Sequence, residues 1–259
     1  MFLVQIIRMP NYNTSDSHPG TETTLKISKR LQAIDSLVTK SYQHIWDCCC
    51  DHGQLGMTLL QRGVAEKLHF VDIVPSIMTQ LRRALEQQFP AQQQWRVHTL
   101  DVLDLPLNEV APEQPQLIII AGVGGEQTLS MVEHLLAKFC GHNLEFLLCP
   151  LRHQYKLRAA LQKLPLALHN EILIKENKWY YEIIHLRKSS NVYPVASNPI
   201  HARGSLMWDN ATELQHDYLQ QTIGHYQRML KNSQASITEH SAIQQTLSAY
   251  LELQQSLNS

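Results

Sequence analysis

Four short stretches carry residues whose type and spacing suit ligand chemistry. In the first, Asp47-Cys48-Cys49-Cys50-Asp51-His52-Gly53-Gln54-Leu55-Gly56, two carboxylates and an imidazole stand just ahead of a glycine. If a strand ends there and a helix begins, Gly53 lets a ligand approach the backbone at the strand's carboxyl end. The run lacks the G-x-G-x-x-G spacing that cradles a pyrophosphate, and Asp47 and Asp51 would repel phosphate. These acids suit a cationic ligand without phosphates, such as a sulfonium; the plainer alternative is a strand-helix turn with an aspartate N-cap. The second stretch, Leu68-His69-Phe70-Val71-Asp72-Ile73, ends in an acid where a carboxylate can accept hydrogen bonds from both ribose hydroxyls of a nucleoside, or else cap the helix after Pro75. In the third, Leu100-Asp101-Val102-Leu103-Asp104, Asp101 can accept from an adenine amine while Val102 or Leu103 covers the ring. The fourth, Ile120-Ala121-Gly122-Val123-Gly124-Gly125, leaves a strand tip almost bare of side chains, so that a flat group can lie against the backbone.

These residues need a scaffold that brings successive strand tips to one edge, and the hydrophobic patterning supplies it. Ile27, Leu31, Ile34 and Val38 recur at helical spacing, with Lys26, Lys29 and Arg30 as a basic edge. From residue 44 onward, short apolar runs alternate with helical patterns: HIWDCC, then 54–62; LHFVDI, then 75–88; WRVHTL; QLIIIAGV, then 126–139; LEFLLCP, then 152–163. This alternation predicts βαβ units and a mostly parallel, doubly wound α/β sheet. EILIKENKWYYEIIHL predicts a terminal antiparallel hairpin turning at 175–178. Residues 1–24 read as a flexible N-terminal segment, 25–188 as the α/β domain, 189–205 as a linker or extended crossing, and 206–259 as a helical, coiled-coil-like C-terminal module. Within that module Ser236 and Glu239 are spaced as a capping box.

The bulk numbers narrow the field. With 22 Lys+Arg against 23 Asp+Glu the chain has no global pull toward nucleic acid or an anionic membrane, so an RNA partner requires a local basic patch. Arg152, His153, Lys156, Arg158 and Lys163 join the first helix as candidates for it. Five cysteines, three of them consecutive, form no disulfide framework and read as cytosolic thiols. No apolar run approaches the roughly 20 residues of a membrane span, and MFLVQIIRMP is too short for a signal peptide; both point to the cytoplasm. The histidines show no metal-ligand spacing, and no metal is expected.

Taken together, Ile27-Ser28-Lys29-Arg30-Leu31, Asp47, Asp51-His52, Asp101, Ile120 to Gly125, and Pro150 with Leu157-Arg158 resemble the TrmK family of bacterial tRNA (adenine-N1)-methyltransferases, which modify adenine 22. The resemblance covers about residues 25–188. It implies a Rossmann-like class I methyltransferase sheet, S-adenosylmethionine as cofactor and tRNA as partner. Asp47, Asp51, Gly53, Asp72, Ile73, Asp101, Val102, Ala121 and Gly122 are then expected at the cofactor. Lys29, Arg30, Gly124, Gly125, Arg152, His153 and Lys156 are expected at the substrate, and Asp51 or His52 as the base that accepts an amine proton. Where the family reads Gln-Pro-Asn or similar, this chain has Cys149-Pro150-Leu151-Arg152, which bears on the acceptor. Two other readings follow: a class I methyltransferase for another RNA site or a small molecule, and a non-catalytic RNA-binding or scaffold protein that retains the fold. The C-terminal helices are expected to pack on each other or to mediate self-association.

Overall fold

The computed structural model describes residues 27–188, 198–232 and 236–258. The expected N-terminal segment, Lys26 and the first part of the expected linker lie outside these residues. Seven strands form one sheet: β1 (Tyr42–Cys48), β2 (Ala65–Asp72), β3 (Trp95–Thr99), β4 (Gln116–Ala121), β5 (Leu144–Cys149), β6 (Leu166–Glu176) and β7 (Trp179–Lys188). Their order is β3-β2-β1-β4-β5-β7-β6. The first five run parallel, and β7 is antiparallel to both of its neighbours. The chain reverses direction between β3 and β4, so the order breaks beside β1, where ligands settle in sheets of this type.

Strand alternation sorts the core into two faces. Ile45, Leu117, Ile119, Leu147 and Ile183 lie in one buried cluster with α1 (Lys29–Ser36), α2 (Gln54–Gln61) and α3 (Pro75–Gln88). Trp46, Ile118, Ile120, Phe146 and Ile184 lie in the other with α4 (Gly125–Lys138) and α5 (Gln154–Leu161). Gly56 lets α2 rest directly on the sheet, since a Cβ there would overlap the Phe70 ring and come within 2.9 Å of Asp47 Oδ2 and a Leu68 methyl. Between β3 and β4 no α-helix forms; short 3-10 turns bury Val102, Leu105, Leu107 and Val110 instead. On the second face His44 Nδ1 meets His69 Nε2 at 2.8 Å and His69 Nδ1 meets His98 Nε2 at 2.9 Å, with Trp46 stacked on His69. Among the described residues no three His, Cys, Asp or Glu side chains are placed to hold one metal ion.

The hairpin is longer than its apolar pattern suggests, because β6 begins at Leu166 and the turn tightens to Asn177-Lys178, with Asn177 left-handed. β5 ends one residue past the row Leu148–Ile184–Glu171, whereas β6 continues to Glu176. The hairpin tip therefore stands roughly 13 Å beyond the end of β5, on the carboxyl edge of the sheet. After residue 198 the chain crosses β6, where Leu168 pairs with Asn198, and then forms α6 (Glu213–Asn232) and α7 (Ile237–Leu257). The capping box at Ser236 and Glu239 is formed. Met207, Trp208, Leu219, Ile223, Tyr250 and Leu253 make a third cluster that takes in Leu173 of β6 and borders Tyr155 and Tyr180.

Under this third cluster lies a buried charge triad. Arg158 Nη1 and Nε reach Glu171 Oε2 and Glu182 Oε2, each at 2.6 Å. Tyr218 donates to Glu182 at 2.5 Å, and the Ser205 and Met207 amides donate to Glu171. Arg158, grouped above with the basic surface candidates, is fully buried and cannot reach a phosphate. Among the described residues no helix is long and apolar enough to cross a membrane.

Candidate active site

The parallel strands end in register. Cys48 is level with Val71 and Ile120, Asp72 with Thr99, and Ala121 with Cys149. The β1 tip then enters an unusual turn in which Cys49 (φ 56°), Asp51 (φ 50°) and Gly53 (φ 67°) are all left-handed. Two non-glycine residues in that region store strain, which marks sites whose shape serves something other than folding. The turn is held open by its neighbours: the Asp51 amide donates to Asp72 Oδ2 at 3.2 Å, and the Val74 amide donates to Asp72 Oδ1 at 3.1 Å. Asp72 is thus not the N-cap of α3, a position taken by Val74, but a brace between two strand-tip turns.

Three acids from three strands converge here. Burial and the carboxylates of Asp72, Asp47 and Asp101, in that order, push the Cys49 thiol up to about 12. Asp47 itself is buried beneath the turn and accepts from the Gly56 amide at 2.9 Å. Burial raises its carboxyl to about 7 against the pull of that hydrogen bond, and Asp72 raises it further. Asp47 therefore sets the charge and shape of the floor, while Asp51, Asp72 and Asp101 remain accessible. Asp101 Oδ1 accepts from the Leu103 amide at 3.0 Å, which leaves Oδ2 without a partner inside that turn. Val102, expected to cover a ring, has its side chain in the core, so Leu103, half-buried, is the apolar group left at this tip. Ile73, by contrast, is 59% exposed beside Asp72. Asp51 and His52 both stand in solvent, Asp51 Oδ1 3.7 Å from His52 Nε2.

The glycine run divides by role. Gly122 (φ 86°) is exposed, follows half-buried Ala121, and has only Arg30 Nη1 near its open face, 3.8 Å from where a Cβ would be. Gly124 and Gly125 instead accommodate the β5-α5 loop. A Cβ on Gly124 would press on Arg152 Nε at 3.2 Å, one on Gly125 on the Arg152 carbonyl at 2.8 Å, and the Gly125 amide donates to that carbonyl. These two positions, expected at the substrate, are filled by protein, and Arg152 takes over the surface they would have offered. His153, left-handed at the start of α5, lies 3.5 Å from Glu126, and Lys156 is exposed one turn on.

On the other side of the β5 tip, Ser28 caps α1, and Glu176 of the hairpin accepts from the Lys29 amide at 2.6 Å. This contact seats Arg30 above the Tyr181 ring, 5.4 Å from its centroid, where its charge also reaches Cys149. Lys29 stays exposed. Sequence reasoning did not single out Tyr181 as a site residue; its strand alternates like any other, and only the pairing of β7 beside β5 brings it beneath Arg30.

The fold is shared by solved proteins at low sequence identity. M. capricolum TrmK, solved with the cofactor product S-adenosylhomocysteine, superposes with a TM-score of 0.69 at 19% identity, over 88% of this chain and 97% of that one. The B. subtilis m1A22 tRNA methyltransferase TrmK does so with a TM-score of 0.64 at 20% identity, over 91% and 98%. A Streptococcus agalactiae protein of the NADB-Rossmann superfamily reaches 0.72 at 18% identity, over 90% and 99%. No curated protein matches the chain by sequence. A family model for a methyltransferase domain matches residues 27–184, more than half of the chain and every strand tip described above, and the chain accordingly belongs to that methyltransferase family.

Proposed function

We propose that this chain transfers a methyl group from S-adenosylmethionine to N1 of an adenine in tRNA, at position 22 by its likeness to the M. capricolum and B. subtilis proteins. The observation that carries the reading is that the parallel strands end in register, so that Asp47, Asp72 and Asp101 stand at one carboxyl edge, with the Asp51 amide bound to Asp72. The residues present fit a sulfonium nucleoside. Each oxygen of Asp72 accepts one backbone amide and keeps a second acceptor position for a ribose hydroxyl. The open oxygen of Asp101 suits an adenine amine, exposed Ile73 supplies an apolar face, and Gly122 leaves the backbone bare at the β4 tip, on the far side of β1. Asp51, Asp72 and Asp101 line the site with carboxyl groups, Asp47 adds its charge as the pH passes about 7, and nothing among these residues cradles a phosphate.

When bound, S-adenosylmethionine supplies an electrophilic methyl carried on sulfur. The chain's own task is alignment and exclusion of water. Gly122 and Arg30 border the space where an acceptor base lies flat, and Arg152, His153 and Lys156 flank it from the α5 side. Alkylation of N1 places positive charge on the adenine, and the proton released from the exocyclic amine is assigned to Asp51, with His52 beside it at 3.7 Å as the alternative. An adenine within folded tRNA must leave its stack to arrive there.

Nucleoside mass spectrometry of unmodified tRNA, incubated with the protein and S-adenosylmethionine, tests the reading by the appearance of 1-methyladenosine. Asp72→Ala should abolish it through lost cofactor affinity. Asp51→Ala should slow the chemical step at saturating cofactor, and weaker cofactor binding with an unchanged step would remove Asp51 as the base. A second reading, a different acceptor, is favoured by Leu151, which is 47% exposed where a polar residue would meet the target base; product from a small molecule but not from tRNA would establish it. Absence of calorimetric S-adenosylmethionine binding would favour a non-catalytic role. The same proposal places the protein in the cytoplasm, divides it into a catalytic part over 25–188 and a helical part over 206–259, and assigns self-association to exposed Met229 and Ile237 at the ends of α6 and α7, which sedimentation at two concentrations tests.

A further inference from the structure

The tip of the β6-β7 hairpin carries a feature that the methyl-transfer site leaves unused. Trp179 is 57% exposed, whereas the chain's other three tryptophans, Trp46, Trp95 and Trp208, are buried. A tryptophan ring is among the largest apolar surfaces a chain can bury, so leaving one in water at a strand end forgoes stability. The tip is also firmly placed. Glu176, the residue paired with Trp179, is fastened to the Lys29 amide, and Tyr180, the next residue, packs against Tyr218 of α6. Lys178 lies over the Trp179 ring at 5.2 Å, and Lys175 lies over Tyr180 at 4.8 Å.

Its position relates it to the crevice. Alternation along β7 puts Trp179 on the same face as Tyr181 and Ile183, the face covered by α1. Tyr181 lies beneath Arg30, and Arg30 borders Gly122. Gly122, Arg30, Tyr181 and Trp179 thus form a rising track from the floor of the candidate site to the hairpin tip, with ring faces and cations interleaved. The two acids beside the tip are both engaged, Glu176 by the Lys29 amide at the start of α1 and Asp217 of α6 by Lys175 at 3.6 Å, which leaves Lys178 as the tip cation over Trp179. Aromatic faces beside cations at the mouth of a cleft are the chemistry that holds single-stranded nucleic acid, where bases stack and phosphates pair with the charges.

We infer that the hairpin tip is an RNA-docking arm: Trp179 stacks on an unpaired base near the target nucleotide while Lys178 meets an adjoining phosphate. The inference rests on the acceptor of the proposed reaction being RNA, and it adds which residues grip that RNA outside the crevice. Acrylamide quenching of the intrinsic fluorescence reads the arm directly, because Trp179 is the exposed tryptophan. An unmodified tRNA transcript should shield Trp179 and lower the quenching to that of Trp179→Phe, whereas a blunt RNA duplex of similar length should not. Trp179→Ala should weaken tRNA binding by about tenfold or more, Trp179→Phe should restore most of the affinity, and calorimetric S-adenosylmethionine binding should stay unchanged in both. Quenching unaltered by bound tRNA, equal shielding by the duplex, shielding by anionic vesicles in place of RNA, or no tRNA binding at all would each overturn the arm. The two readings fail separately: shielding without 1-methyladenosine removes the chemistry and keeps the arm, and 1-methyladenosine formed by Trp179→Ala at an unchanged KM removes the arm and keeps the chemistry.

Discussion

Replacing Asp47 with asparagine isolates the electrostatic tension at the floor of the site. Burial lifts the Asp47 carboxyl from its ordinary 3.8 to about 7, the Gly56 hydrogen bond opposing the shift and Asp72 adding to it. The native chain therefore holds a proton that the unfolded chain releases above its ordinary value. Stability present at low pH is lost as the pH climbs from about 4 to about 7, and the loss persists above that. Three units at about 1.4 kcal/mol each give about 4 kcal/mol for keeping this group ionised at pH 8. Asparagine removes the charge, keeps an oxygen for the Gly56 amide, and adds an NH2 that must find an acceptor; a buried donor left unpaired costs roughly 1–3 kcal/mol. Asp47→Asn should thus gain about 1–3 kcal/mol at pH 8 and lose about 1–3 kcal/mol at pH 4. At roughly 2–4 °C per kcal/mol the melting temperature at pH 8 should rise by several degrees. Thermal melts of both proteins from pH 4 to pH 8 check this, and the difference between the two curves cancels every other titrating group. A difference that does not change with pH would refute the reasoning. Because the same charge faces the proposed sulfonium, the variant should also lose S-adenosylmethionine affinity while it gains stability.

Three further outcomes follow from the core. Burial lowers His69 to about 2, with His98 and His44 adding to the effect, so unfolded imidazoles take up protons first as the pH falls; stability is complete above about 6.5 and lost below it. His69→Gln, which does not titrate, should flatten the acid limb of the stability curve by up to about 1.4 kcal/mol per pH unit in denaturant titrations. Arg158→Ala strands two buried carboxylates and should cost about 3–5 kcal/mol by the same measurement, while Arg158→Met with Glu171→Gln and Glu182→Gln should recover much of it. Gly56→Ala should lose about 1–3 kcal/mol from overlap with Phe70 and Leu68, visible as a lower melting temperature, and should weaken cofactor binding because Asp47 is displaced.

The parallel half of the fold is legible because its strands are buried on both faces and read as near-continuous apolar runs separated by helical periods. The order of acids along the chain likewise foretells their gathering, since parallel strands deliver each carboxyl end to one edge. Side-chain direction is what the pattern does not carry. Asp47 and Asp51 are equivalent as letters, yet one is the last residue but one of a buried strand and the other sits in a left-handed turn in solvent. Val102 and Leu103 differ only in which side of a 3-10 turn they occupy, and Gly124 and Gly125 serve a loop crossing whose partner, Arg152, is distant in sequence. Arg158 reads as surface charge because its two acids lie in the hairpin, and no local spacing announces a pairing across strands.

That triad has a consequence for how a large acceptor is admitted. Glu171 and Glu182 belong to the sheet, Arg158 to a helix beside the crevice, and the groups completing their bonds, Tyr218 and the amides of Ser205 and Met207, to the tail that follows residue 198. Prising the tail away would uncover three charges with no water prepared for them, so it is welded to the catalytic half and does not serve as a jaw. If the acceptor is RNA as proposed, the rearrangement needed to bring an inward-facing base to the edge of the sheet falls to the RNA, and acceptors already loosened at the target nucleotide should be processed ahead of those held in an intact stem.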